Sequence, residues 1–188
     1  MPWANSSAGY GALTKFFHWS MAAMIVFQLA SATIMVRLAA DGTMLGAGQA
    51  AFYNWHKSIG LVALLFAVGR VLARRSGALP DWAPTLSPTE RGFVHRAEQA
   101  LYAAMFVMPV SGFLYVMAGG FGVNLFGVHE LPNLVGRHAW LAATAKWVHI
   151  GAGWVLCLAL VGHIGLVARH TLILSDGLVW RMLWRRGS

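Results

Sequence analysis

The sequence predicts an all-α membrane protein that folds as one domain, a four-transmembrane-helix bundle over residues 1–188. Of these residues 58% are hydrophobic and only 11% are charged, which lies far outside the usual composition of a soluble domain. Four apolar stretches are each long enough, at about twenty residues, to cross roughly 30 Å of hydrocarbon. The predicted spans cover residues 16–36, 55–72, 97–118 and 146–174.

The N-terminal segment predicts no cleaved signal peptide. It lacks a positively charged region followed by an apolar stretch and a small-residue cleavage site. We therefore expect the first span itself to direct insertion into the membrane.

The distribution of basic residues predicts the orientation of the chain. Between the second and third spans lie Arg70, Arg74, Arg75, Arg91 and Arg96, with Pro80, Pro84 and Pro88, and the C-terminal tail carries Arg181, Arg185 and Arg186. The other two connections hold only Arg37, Lys57, Arg137 and Lys146, near their ends. Because cytoplasmic loops carry an excess of Lys and Arg, we expect both termini to be cytoplasmic.

The formal net charge of +8 has two explanations. A basic patch for nucleic acid or another partner is one, and membrane topology with lipid headgroup contact is the other. The basic residues cluster at span ends, which favours topology and lipid over nucleic acid. Eight tryptophans lie mostly near the predicted span ends, as in an interfacial aromatic belt. They are Trp3, Trp19, Trp55, Trp82, Trp140, Trp147, Trp180 and Trp184.

Four histidines lie in the predicted spans at heights that pair them. His149 and His163 are fourteen residues apart, which is almost four helical turns, so they share one face about 21 Å apart along the axis. The predicted topology puts His18 level with His163 near the cytoplasmic surface, and His56 level with His149 near the outer surface. Ionisable side chains are costly inside a bilayer, so such residues usually face the bundle interior and are functional.

Two level pairs of imidazoles suit the axial positions of two haem irons. Gly60 follows His56 by four residues and Gly153 follows His149 by four, which would let a flat macrocycle lie against each helix. Zinc is the metal alternative, but it usually recruits Cys or carboxylate ligands, which the apolar faces here do not offer. The single Cys157 excludes an internal disulfide, and the absence of a CxxCH motif argues against covalently attached haem.

At these residues the chain resembles the bacterial cytochrome b561 family, four-helix dihaem membrane proteins, over nearly its whole length. The resemblance is carried by His18 with Trp19, by HKSIG from His56, and by the two histidines of the fourth span. Further similar positions are Arg70 in GRVLAR, His95, Tyr102, and the MPVSG segment that contains Pro109. Members that serve hydrogenases or formate dehydrogenases usually carry extra spans or loops that this chain lacks.

The resemblance implies two non-covalent b haems ligated by His18, His56, His149 and His163. It also implies electron transfer in the bacterial inner (plasma) membrane, with a quinone as one partner. Arg70 near the inner haem, and Lys57 with Lys146 near the outer one, are placed to pair with haem propionates. Snorkelling at a span end is an equally good explanation for Lys57.

The remaining histidines have alternative explanations. His95 and His170 are placed to contact a propionate or a quinone oxygen or to move a proton, and the alternative is an interfacial residue without chemistry. That alternative is favoured for His170. His129 and His138 are interpreted as loop residues, with a lid over the outer haem as the minority interpretation. Pro109 is expected to kink the third helix.

The histidine pattern and the resemblance together imply a membrane dihaem cytochrome that moves single electrons between a donor at the outer surface and the quinone pool. Electrons would pass through the His56/His149 haem and then the His18/His163 haem. A small anionic donor would be steered by a positive outer rim of Lys57, Arg137 and Lys146. Superoxide is one candidate, since the family includes superoxide-oxidising members that reduce ubiquinone, and Lys146 is similar to a position of that subgroup.

Two other functions are compatible with parts of the pattern. The chain would alternatively be an electron-relay or anchor cytochrome b subunit of a separate dehydrogenase, and would then be inactive by itself toward small donors. A transporter or channel with a histidine proton relay is disfavoured, because the sequence lacks broken helices and paired acidic residues.

Overall fold

The computed structural model describes residues 2–7 and 9–183 of the chain. Four long helices dominate it: α1 (Ala12–Arg37), α2 (Gln49–Arg75), α3 (Pro88–Ala118) and α4 (Ala139–Ala168). Each is long and apolar enough to cross a membrane, which confirms the predicted all-α membrane bundle. Trp184, Arg185 and Arg186, which the sequence assigned to the aromatic belt and the basic tail, lie outside the described residues.

The helices extend beyond the predicted apolar spans, most clearly at the start of α3. Ser87 caps this helix, because its hydroxyl accepts from the Glu90 N–H at 3.3 Å while the Glu90 carboxylate accepts from the Ser87 N–H at 2.9 Å. Pro88 occupies the first helical turn, where a missing N–H costs nothing. Hydropathy locates the membrane-embedded part of a helix, whereas capping decides where the helix begins.

One end of the bundle carries two short β-hairpins, which the sequence did not predict. In the first, β1 (Thr43–Met44) pairs with β2 (Ala47–Gly48), and in the second, β3 (Asn124–Leu125) pairs with β4 (His129–Glu130). The first turn uses positive φ at Leu45 (53°) and Gly46 (75°), as a tight hairpin requires. We call this the hairpin end.

The opposite end, called the terminal end, gathers three chain segments. The Asp81 N–H donates to the Ser7 carbonyl at 3.2 Å, which joins the N-terminal segment to the α2–α3 connection. Arg181 donates to the Asp81 carbonyl, and the Lys15 ammonium donates to the Leu183 carbonyl at 2.8 Å. The described N- and C-terminal segments therefore pack together on one side of the bundle.

Helix packing leaves an internal space. α1 packs on α2, α2 on α3 and α3 on α4, and Met21, Ala67 and Met105 form a small buried core between the first three helices. α4 faces α1 and α2 across the interior through its histidines.

Candidate cofactor site

The structure brings the four histidines together as two pairs. The ring centres of His18 and His163 are 6.2 Å apart at the terminal end, and those of His56 and His149 are 6.3 Å apart at the hairpin end. Two imidazoles that bind one ion from opposite sides, each through a nitrogen about 2 Å away, have ring centres roughly 6 Å apart. Each pair therefore has the spacing of two axial ligands on one metal.

The donor set fits haem better than a bare metal ion. In the part of the chain that the structure describes, no group of three or more His, Cys, Asp or Glu side chains is placed to hold a metal. Structural zinc takes four protein ligands, whereas haem iron needs only the axial ones because the porphyrin supplies the rest. Two histidines without a third ligand agree with the haem interpretation.

An apolar cavity surrounds the hairpin-end pair. Its volume is about 390 Å³, and all four helices line it. Gly60, Gly112 and Gly153 are among the lining residues, and a Cβ at Gly153 would meet only the end of Met108, at 3.7 Å. The helix surfaces at Gly60 and Gly153, where the sequence predicts room for a flat macrocycle, therefore line a cavity suited to an apolar planar group.

Polar groups contact the Nδ1 atoms of His56 and His149. Ser31, which is buried, places its hydroxyl 3.1 Å from His56 Nδ1 and donates to the Gln28 carbonyl, so it accepts from the imidazole. His149 Nδ1 lies 2.8 Å from the Met108 carbonyl. With Nδ1 as the donor, Nε2 of each ring is free to bind metal. Sequence reasoning missed Gln28 and Ser31, although their polarity within the first span was a usable signal.

The terminal-end pair has a different environment. Arg70 Nη2 lies 3.3 Å from His18 Nδ1, and the guanidinium also stacks 5.5 Å from the centre of the Tyr102 ring. Arg70 Nε is buried with no hydrogen-bond partner among the described residues. An orphaned buried cationic donor beside the ring suits an anionic group such as a haem propionate, the role that the sequence assigned to Arg70.

The two lysines of the predicted outer rim occupy different positions. Lys57 lines the cavity beside His56, and its ammonium donates to the Gly122 carbonyl at 2.9 Å. The neighbouring Ser58 hydroxyl accepts from the Phe126 N–H at 2.8 Å, so α2 fixes the α3–α4 connection over this end. Lys146 and Arg137 are exposed. Arg37, at the end of α1, is exposed at this end as well, and so are the acidic residues Asp41 and Glu130. The exposed positive charge here therefore comes from Arg37, Arg137 and Lys146 rather than from Lys57.

The remaining histidines lie away from the two pairs or in structural contacts. His95 is exposed and contacts Gln99 at 3.2 Å, and His129 and His138 are exposed at the hairpin end. His170 is fully buried and lies in the π-helical turn Arg169–Ile173 that follows α4. Its Nδ1 lies 2.5 Å from Asp176 Oδ2.

The second nitrogen of His170 also contacts a carboxylate, since Nε2 is 3.3 Å from Glu90 Oε1. The ring is therefore buried between two carboxylates, whereas the favoured sequence interpretation was an interfacial residue without chemistry. The hydrogen bond from His170 holds the pKa of Asp176 below its usual value. Arg169 pairs with the same Glu90, so the group fixes the end of α4 to the start of α3.

Comparison with known proteins agrees with this architecture. Residues 9–185 match the family described as prokaryotic cytochrome b561. The chain is also 29% identical over 189 residues to cytochrome b561 homolog 2 of Escherichia coli (strain K12), covering 100% of this chain and 98% of that protein. The family consists of membrane proteins that transfer electrons through b-type haem. The chain therefore belongs to the prokaryotic cytochrome b561 family and is a multi-pass membrane electron-transfer protein.

Proposed function

We propose that the chain binds two non-covalent b haems, one between His18 and His163 and the other between His56 and His149. The observation that carries this proposal is the nearly equal spacing of the two ring pairs, 6.2 and 6.3 Å. When bound, each haem supplies a one-electron carrier. The four histidines would hold the irons, the apolar cavity would hold the macrocycle at the hairpin end, and Arg70 and Lys57 are the candidate cationic partners for propionates.

The function supported best is electron transfer between a donor at the outer surface and the membrane quinone pool. The terminal end, with Arg70, Arg74 and Arg75, would face the cytoplasm of a bacterium under the positive-inside rule. The hairpin end would then face outward from the inner membrane. Arg137 and Lys146 are exposed there and would raise the local concentration of an anionic donor.

Superoxide is the donor that we propose. Two superoxide anions would each give up one electron and leave as dioxygen, and one quinone would take up both electrons and two protons to form quinol. Lys146 is well placed for steering, because it is exposed on α4 three residues before His149. It would act on encounter rather than on the redox step.

Stopped-flow reduction of the haem-loaded protein by superoxide, with quinone reduction in the steady state, tests this function. We expect Lys146→Glu to lower the second-order rate several-fold and to flatten its salt dependence, because salt screens exposed charges over about 10 Å at 0.1 M. The control is Arg75→Glu, the same charge change at the terminal end, which should leave the rate unchanged.

Two outcomes would contradict the proposal. A rate that ignores both ionic strength and Lys146→Glu would exclude steering by the hairpin end. A haem-loaded protein that superoxide does not reduce would exclude this donor and favour the electron-relay or anchor subunit of a separate dehydrogenase.

A further inference from the structure

The MPVSG segment of α3, residues 108–112, is shaped around the ring of His149. The Met108 carbonyl lies 2.8 Å from His149 Nδ1, and the Ser111 hydroxyl lies 3.3 Å from the same atom. A Cβ at Gly112 would stand 3.0 Å from His149 Cε1 and 3.1 Å from Nδ1. A side chain at position 112 would therefore press on the imidazole and require it to shift by a few tenths of an ångström.

The oxygens of this segment are available to the ring. A carbonyl oxygen has two lone pairs, so Met108 can accept from His149 in addition to its other donors. Ser111 donates to the Val107 carbonyl at 2.5 Å, which leaves its own lone pairs for the imidazole. Pro109 lies within α3 and has no N–H to offer the carbonyl one turn earlier.

The two histidine pairs differ in the groups that contact their Nδ1 atoms. At the hairpin end both rings meet acceptors, the Met108 carbonyl and the Ser31 hydroxyl. At the terminal end His18 meets the Arg70 guanidinium, which is a donor and a cation. A ligand imidazole whose second nitrogen donates to an acceptor is more basic. A more basic ligand stabilises ferric iron, whereas a neighbouring cation favours the ferrous state.

Other charges near the two pairs do not reverse this difference. Arg74 is paired with Glu98 at 2.5 Å, which leaves Arg70 as the cation in contact with the terminal-end ring. Lys57 opposes the trend at the hairpin end, but its ammonium is directed to the Gly122 carbonyl. The Arg70 guanidinium lies 3.3 Å from His18 Nδ1, so its charge acts on that ring at hydrogen-bond distance.

We propose that Met108, Ser111 and Gly112 are positioning residues that hold His149 through its Nδ1 and make the hairpin-end centre the lower-potential one of the two. This inference rests on the proposed binding of two haems. An electron that enters at the hairpin end would then move toward the terminal end with a favourable change in free energy.

Potentiometric titration of the purified haem-loaded protein, followed by visible absorbance, tests the inference. His163→Ala, which keeps only the hairpin-end haem, assigns the two midpoints. We expect the lower one to belong to the hairpin end. Gly112→Ala should raise the hairpin-end midpoint by at least about 59 mV, which is a tenfold change in the one-electron equilibrium constant. The terminal-end midpoint should stay in place.

The matched control is Gly151→Ala, since a Cβ at this helical glycine two residues from His149 meets nothing within 4 Å. It should move neither midpoint. Ser31→Ala adds no atoms, so it tests the same effect on His56 without a risk of overpacking, and it should also raise the hairpin-end midpoint.

The inference is overturned if the hairpin-end haem has the higher midpoint, or if Gly112→Ala and Ser31→Ala leave both midpoints unchanged. Fewer than two haems in the wild-type protein would instead contradict the proposed function.

Discussion

At the scale of single residues, three buried serines contact the paired histidines or the connection above them. Ser31 contacts His56, Ser111 contacts His149, and Ser58 holds the Phe126 N–H. A buried polar atom left without a partner costs about 1–3 kcal/mol. Among the described residues, Arg70 Nε and Gln28 Oε1 are such atoms, and both belong to residues that contact one of the paired histidines.

His163→Ala should remove the terminal-end haem and leave the hairpin-end haem, because each pair uses its own axial ligands. Haem content per chain should fall from two to one, as measured by the pyridine haemochrome absorbance. The matched control is His129→Ala, an exposed histidine on β4, which should retain both haems. Full haem content in His163→Ala would show that this residue is not a ligand.

Sequence patterns located the histidines but not the groups that hold them. Spacing within α4 and the heights from topology selected His18, His56, His149 and His163, and the structure places those four as two ring pairs. The Met108 carbonyl has no side-chain signature, because any residue would present the same atom. Contact between Ser31 and His56 depends on how α1 crosses α2, which hydropathy does not specify.

At the scale of elements, the apolar spans were predictable and the helix ends were not. The π-helical turn at Arg169–Ile173 shows why, since it departs from the α-helical register that placed His170 on the face of His163. Glu90, a carboxylate partner of His170, lies eighty residues earlier in the chain. The short hairpins were missed because strands of two residues are too brief to produce an alternating pattern.

Asp176→Asn should loosen the end of α4 by removing the charged acceptor of His170. The depressed pKa of Asp176 means that the carboxylate contributes stability above its unfolded value near pH 4, and that this contribution is lost as the pH falls through the folded value. The variant should therefore melt a few degrees lower than wild type at neutral pH and approach it in acid.

Thermal loss of helical circular dichroism between pH 3 and pH 7 measures this difference. Asp41→Asn, in the exposed α1–α2 connection, is the matched control and should melt like wild type throughout. Equal melting of wild type and Asp176→Asn at neutral pH would show that the His170 contact does not stabilise the fold.

At the scale of the whole molecule, the bundle separates the two histidine pairs by height and gives each a different environment. His149 and His163 place them about 21 Å apart along α4, at 1.5 Å per residue. The α3–α4 connection closes the hairpin end through Lys57 and Ser58. The terminal end is closed by the packing of the N-terminal segment, the α2–α3 connection and the C-terminal segment.

The central claim is that one chain holds two haems, each between two histidines. Quantitative pyridine haemochrome analysis of the purified protein, with electron paramagnetic resonance of its oxidised form, tests this claim most directly. We expect two b haems per chain, both six-coordinate and low-spin, because each ring pair supplies both axial ligands. One haem per chain, or a high-spin signal of stoichiometric intensity, would contradict it.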